Sequence, residues 1–218
     1  MHSISQPDEV ILDKSVLDII KNQCYQKDNL ETVTFTSAID LEEAILITAL
    51  IKQNKPKKTI EIGCAEGGSS LTIMSALDDG KGKHTIVDPF QTSYWESKGI
   101  NLLKTFEFNN YTLIEKGSEI ALPALMDKGE KFDFAFIDGY HTFDHTLLDA
   151  FYLIKMLNAG GILVIDALVP LIPSINNEYL GNQAFNNLLN YTPLLIPNVV
   201  SVLLNGTAPV APYVNLAP

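Results

Sequence analysis

Positive charge is scarce in this chain: its 218 residues carry 15 Lys and Arg against 26 Asp and Glu, a formal net charge of −11. Such a field repels nucleic-acid phosphates and anionic membrane surfaces rather than steering them in, so neither is expected as a partner. Cysteine is scarcer still. Cys24 and Cys64 stand far apart and in no metal-ligand spacing, which excludes a disulfide framework and fits a reducing compartment. Long apolar runs are missing too: residues 46–51, broken only by Thr48, fall far short of the roughly 20 needed to cross a bilayer. The first fourteen positions carry Asp8, Glu9 and Asp13 and no apolar h-region. No secretory leader is expected, and the reading is a soluble, cytoplasmic protein.

What the chain has is 46% hydrophobic residues, enough to bury one substantial core. A single domain over 1–218 is expected, with helices in 1–55, a core in 56–166 and an apolar segment in 167–218. Ile11, Leu12, Val16, Ile19 and Ile20 recur at helical spacing between residues 8 and 23, behind Pro7; this predicts an N-terminal accessory helix. Asp40 and Glu43 have capping-box spacing ahead of a second helix that Pro56 ends. The pattern then alternates. Strands are predicted over 59–62, 85–88, 111–115, 132–138 and 162–166, and helices over 68–77, 98–108, 119–128 and 143–157, which argues for a doubly wound parallel sheet. After Glu178 no charged residue follows. That tail reads as a buried strand near 199–204 with an ordered Pro-rich end, or alternatively as an apolar wall for a substrate or a subunit interface, such as that of a homodimer.

Residues 61–70 read Glu-Ile-Gly-Cys-Ala-Glu-Gly-Gly-Ser-Ser, a strand, a sharp turn and a helix start. Glycine lets a backbone lie close to a ligand, and in open α/β sheets ligands sit outside the carboxyl ends of the strands, where a helix N-terminus offers unpaired N–H groups. The dinucleotide fingerprint G-x-G-x-x-G is not met: Ala65 replaces its second glycine, and the Glu66 carboxylate would repel a pyrophosphate. This weighs against an NAD-linked oxidoreductase. Asp88, ending the second core strand, suits the vicinal hydroxyls of a ribose.

The run 61–70 followed by Asp88 resembles the first motif, and its acidic follower, of class I S-adenosylmethionine-dependent methyltransferases. Phe132-Asp-Phe-Ala-Phe-Ile-Asp138-Gly-Tyr-His141 and Gly160-Gly-Ile-Leu-Val-Ile-Asp166 narrow the resemblance to small-molecule O-methyltransferases that include the catechol and caffeoyl-CoA enzymes and bacterial natural-product relatives. The resemblance covers residues 40–166. It implies an α/β fold, doubly wound and Rossmann-like, with a mostly parallel sheet, N-terminal accessory helices and an antiparallel C-terminal strand. It implies a cofactor site of Glu61, Gly63, Cys64, Glu66, Gly67, Ser69, Asp88, Ser118 and Asp138. Gly63 and Cys64 would lie along the methionine part, Ser69 would bind its carboxylate, Asp88 the ribose, and Ser118 would neighbour the adenine. Ser118 can equally serve as the N-cap of the next helix.

Asp138 and Asp166 end consecutive core strands, so a parallel sheet brings both carboxylates to one rim. The resemblance implies a divalent cation there, Mg²⁺ or another, held by Asp138 and Asp166; the position that supplies a third ligand in the family is Ala167. His141 matches the family's catalytic base, with Asp138 beside it, and an imidazole can accept a hydroxyl proton near neutrality. His145 would share a helix face with His141 if that helix begins early. Tyr94, Trp95 and Tyr140 could stack on an aromatic acceptor or simply cover the core. The expected activity is methyl transfer to a small-molecule hydroxyl. The alternatives are a metal-independent methyltransferase and a protein of this fold that binds without transferring a methyl group.

Overall fold

The computed structural model describes residues 12–26, 31–36, 39–77, 82–166 and the backbone of 200–203. These residues gather into two compact units, one of 1–55, 65–82 and 90–110, the other of 56–64, 83–89 and 111–218.

The second unit is built on a sheet. Its strands are β3 (Lys58–Ile62), β4 (Lys83–Val87), β5 (Tyr111–Ile114), β6 (Phe132–Ile137), β7 (Leu157–Ile165) and β8 (Val200–Leu203), in the spatial order β5-β4-β3-β6-β7-β8. The order reverses beside β3, the switch point at which α/β sheets place their ligands. Among the described residues two helices belong to this unit, α5 (Ser118–Asp127) and α6 (Phe143–Met156). One sheet face carries Ile60, Ile62, Ala135, Ile137, Leu163 and Ile165, which join Ala121, Leu122 and Leu125 of α5 and Ala150, Leu153 and Ile154 of α6 in one buried cluster. Each large aliphatic side chain so buried contributes about 1.5–3 kcal/mol. At the amino edge, Asp133 ties three strands: its carboxylate accepts from the amides of Lys57 and Lys58 at 2.9 and 3.0 Å and from Asn158 Nδ2 at 2.8 Å.

The fold class is the expected one, with one correction at the end of the chain. β8 pairs with β7 in parallel, Ile162 opposite Val200 and Ile165 opposite Leu203, not antiparallel. Parallel neighbours need a crossover of a dozen or more residues, and the connection 167–199 is long enough to return the chain in the same direction. The predicted tail 208–218 lies outside the described residues.

The first unit holds α1 (Lys14–Asn22), a hairpin of β1 (Cys24–Gln26) and β2 (Thr32–Thr34), and the helices α2 (Leu41–Asn54), α3 (Gly68–Ala76) and α4 (Lys98–Thr105). The accessory helix starts later than the apolar spacing implied, because Asp13 is its N-cap, accepting from Ser15 N at 2.8 Å. Residues 8–11 lie outside the described residues. The capping box of α2 is present: Asp40 accepts from the Glu43 amide and Glu43 from the Asp40 amide. The hairpin has no counterpart in the sequence reading. Its strands are three residues each, too short for an alternation to register; Tyr25 of β1 stacks on Phe35, ring centroids 5.8 Å apart. Among the described residues no helix is long and apolar enough to cross a membrane. Neither Cys24 nor Cys64 is in a disulfide.

Candidate active site

The rim of the sheet is aligned by its own hydrogen bonds. Past the last residue of β3, β4, β6 and β7, the next amide still reaches the neighbouring strand: Gly63 N to Val87 O at 2.9 Å, Asp88 N to Ile114 O at 3.2 Å, Asp138 N to Ile62 O at 2.9 Å and Asp166 N to Ile137 O at 2.8 Å. Parallel register therefore carries these four residues to one edge. The turn after β3 is tight there. Gly63 has φ +87°, and a Cβ on it would lie 2.1 Å from the Asp138 carbonyl oxygen, so only glycine fits. Next along the chain, the Cys64 amide donates to Asp88 Oδ2 at 3.1 Å. Asp88 is 3% exposed; its carboxylate holds the loop in place at the position expected to meet a ribose.

Glu61 points to the opposite sheet face from Ile60 and Ile62. It is fully buried, with Oε1 3.4 Å from His84 Nε2, while His84 Nδ1 lies 2.8 Å from Thr59 Oγ1. This chain of buried polar groups links β3 to β4 beneath the rim.

Downstream in the loop, in the first unit, the backbone turns through Ala65 at φ +46° and Gly67 at φ +93°. A Cβ on Gly67 would lie 2.7 Å from Gly99 Cα, so two glycines meet backbone to backbone. The Glu66 carboxylate is fully buried. It accepts from Thr36 N at 2.5 Å and pairs with Lys98 Nζ at 2.9 Å. That hydrogen bond, outweighing desolvation, raises the Lys98 pKa above its ordinary value. Glu66 thus anchors the loop to the hairpin side and to α4, and Gln91 Nε2 adds a bond to Ala65 O at 2.7 Å. Ser69 lies in the first turn of α3, buried, and Gly67 caps that helix without a side-chain bond.

In the second unit, Gly117 takes the N-cap position of α5, and Ser118 is the first helical residue. The capping reading of Ser118 is thereby corrected: Gly117, not Ser118, occupies the cap, and no side chain caps the helix there. Asp138, His141 and Asp166 each offer one ligating atom within 4.8 Å of the others. His141 Nε2 is 3.3 Å from Asp138 Oδ1, and the imidazole is partly open to solvent. His145 does not join them; its Nδ1 lies 2.8 Å from Thr142 Oγ1, and its ring packs on Tyr140 at 5.1 Å. Tyr140 is exposed, as is Tyr94 in the first unit, which meets Trp95 edge to face at 4.8 Å.

The sequence reading missed Asp149, Lys98, Thr36 and Gln91. Asp149 carried a signal: it shares one helix face with Thr146, Ala150 and Leu153, all buried, and a carboxylate on an apolar face asks for an explanation. The other three reach the loop through tertiary contacts that no local spacing encodes.

Residues 60–167 match a family model described as a methyltransferase domain. "Probable caffeoyl-CoA O-methyltransferase 1" of Dictyostelium discoideum is 31% identical over 152 residues, covering 65% of this chain and 60% of that protein. The caffeoyl-CoA O-methyltransferase of Stellaria longipes is 34% identical over 128 residues, covering 56% and 50%. The chain spans 60% of the length of the first of these relatives and 50% of the second. Among solved structures, the O-methyltransferase TomG of Streptomyces achromogenes, involved in tomaymycin synthesis and solved in complex with S-adenosylmethionine, superposes with a TM-score of 0.62 at 18% identity, covering 84% of this chain and 80% of that one. The Bacillus cereus O-methyltransferase in complex with S-adenosylhomocysteine gives 0.63 at 17% identity, covering 84% and 82%. At such identities the likeness is one of fold.

Proposed function

Because residues 60–167 match a methyltransferase domain, we propose that the chain is a class I methyltransferase that transfers the methyl group of S-adenosylmethionine to a hydroxyl of a small molecule. The observation that carries this reading is the single rim on which parallel register sets Gly63, Asp88, Asp138 and Asp166, with His141 3.3 Å from Asp138. Donor-binding and acceptor-activating groups are there side by side. Gly63 and the Cys64 amide would follow the methionine chain, Asp88 the ribose and Ser118 the adenine, while Glu66, Gly67 and Ser69 shape the loop that continues into α3. Asp138 Oδ1 holds the imidazole through Nε2, and the other ring nitrogen, Nδ1, takes the acceptor's hydroxyl proton as the oxygen attacks the sulfonium methyl. Holding oxygen and methyl in line supplies much of the acceleration.

A divalent cation fits the same corner. Two carboxylates and an imidazole within 4.8 Å are a donor set for Mg²⁺ or a first-row metal, and Asp138 and Asp166 would hold it. Bound there, it would supply Lewis acidity toward the acceptor oxygen. The proposed setting is cytoplasmic, with a small-molecule acceptor.

The test is binding first, turnover second. S-adenosylhomocysteine is expected to raise the melting temperature, and Asp88→Ala to weaken that shift at least tenfold in ligand concentration. His141→Ala is expected to keep cofactor binding and to lose methyl transfer from labelled S-adenosylmethionine across a panel of hydroxylated acceptors. No shift at saturating cofactor would sink the proposal. A shift without turnover on any acceptor would instead favour a protein that binds without transferring.

A further inference from the structure

We propose that His141 is the third ligand of the cation corner, so that the loaded protein takes a first-row transition metal such as Co²⁺, Fe²⁺ or Zn²⁺ in preference to Mg²⁺. The proposal deepens the cation reading above and rests on it. Two strand ends supply the carboxylates, and their backbones are fixed: Asp138 N bonds to Ile62 O and Asp166 N to Ile137 O. The residue after Asp166 is Ala167, which has no donor atom. The turn after β6 supplies one instead. His141 lies three residues beyond Asp138 and ahead of α6, and it offers a ring nitrogen within 4.8 Å of an oxygen of each carboxylate.

Distance and chemistry favour a ligand over a plain ion pair. Nε2 lies 3.3 Å from Asp138 Oδ1, longer than the about 2.7–2.9 Å of a charge-assisted hydrogen bond. It matches the edge between two ligands of one metal, since bonds of about 2.0–2.1 Å put neighbouring donors about 3.0–3.4 Å apart. A half-exposed His–Asp pair contributes little to stability, so packing does not account for the arrangement. His145, the other histidine nearby, is committed elsewhere, with Nδ1 2.8 Å from Thr142 Oγ1. Two carboxylates balance the charge of a divalent ion, and three protein donors leave coordination positions open. The nitrogen then sets the choice of metal. Mg²⁺ is a hard ion that takes oxygen ligands, whereas imidazole suits the later first-row metals. With Nε2 on the metal, Nδ1 carries the ring hydrogen; the proton-accepting role given to His141 above belongs to the metal-free protein.

The experiment titrates the full chain, stripped of metal by a chelator, with Co²⁺ alone and with Mg²⁺ alone, and reads each Kd by calorimetry. The wild type is expected to bind Co²⁺ at least about a hundredfold tighter than Mg²⁺. His141→Ala should weaken Co²⁺ at least about tenfold and Mg²⁺ by less than about threefold, because Mg²⁺ keeps both carboxylates and completes its shell with water. His141→Asp, which puts an oxygen donor at the same place, should narrow the Co²⁺-to-Mg²⁺ ratio at least about fivefold. The visible absorption of bound Co²⁺ should change in His141→Ala and stay as it is in His145→Ala. An equal loss of both ions in His141→Ala, no loss of either, or an unaltered Co²⁺ spectrum there overturns the proposal, as does a wild type with no preference for Co²⁺. Should His141→Ala fail to fold, His141→Asp decides: the wild-type preference retained there also overturns it. A wild type that binds both ions, with His141→Ala unchanged, sinks the His141 role alone. One that binds neither sinks the cation reading with it, and leaves methyl transfer to the S-adenosylhomocysteine test.

Discussion

Replacing Asp149 by asparagine is expected to stabilise the protein, by an amount that grows with pH. Burial raises the Asp149 carboxyl from 3.8 to about 6, so the folded state binds that proton more tightly than the unfolded chain does. Below pH 3.8 the group is neutral in both states, and burial carries no charge penalty. Between 3.8 and 6 the unfolded chain ionises first, and folding becomes less favourable; above 6 the penalty is complete. With one pKa unit equal to about 1.4 kcal/mol, the full penalty is about 3 kcal/mol. The asparagine escapes it. It leaves both hydrogens of its amide group unpaired where Oδ1 was, at about 1–2 kcal/mol independent of pH. Urea unfolding of both proteins at pH 4.0, 5.0, 6.0 and 7.5 reads the difference. The variant should gain about 2–3 kcal/mol on the wild type across that window, or roughly 5–10 °C in Tm. A difference that stays constant, or a wild type that gains on the variant as pH rises, refutes the buried-charge reasoning.

Gly63→Ala forces a Cβ to 2.1 Å from the Asp138 carbonyl at φ +87°, so it is expected to cost about 3 kcal/mol or more and to abolish binding of S-adenosylhomocysteine, measured by urea unfolding and calorimetry. Lys98→Met removes the cation that faces the fully buried Glu66; a loss of about 2–4 kcal/mol is expected, and Glu66→Gln in the same chain should recover part of it. Asp133→Ala strips three donors of their acceptor at the amino edge of β3, β6 and β7 and should cost about 2–4 kcal/mol. Desolvation raises the Asp133 pKa, but hydrogen bonds from Asn158, Lys57 and Lys58 outweigh it and hold the group below 3.8. Its contribution is thus present above pH 3.8 and lost as pH falls through the lower folded value. Asp133→Asn should therefore flatten that part of the acid-unfolding profile, and an unchanged profile would contradict the assignment.

Much of this protein was decided locally. A period of two in the strands and of 3.6 in the helices places residues 59–62, 132–138 and 143–157 before any contact is known. Asp40 and Glu43 announce the start of α2 because a capping box joins residues three apart. Asp88, Asp138 and Asp166 were legible as rim residues for the same reason: a polar group that ends a buried apolar strand of a parallel sheet falls on the carboxyl edge. What the tertiary structure decided are matters of long-range partnership. Glu66 reads in sequence as a loop carboxylate turned toward a ligand, yet Thr36 and Lys98, some thirty positions away on either side, enclose it. Gly63 reads as room for a ligand, yet the Asp138 carbonyl is what forbids a side chain there. The direction of β8 depends on a crossover, which strand periodicity does not record. Asp149 shows in sequence only as a carboxylate on the apolar face of a helix, and its burial comes from packing. Periodicity and capping join residues up to four apart, so they determine elements and faces. Ion pairs, close backbone approaches and the pKa of a buried carboxyl arise only between elements, and packing alone sets them.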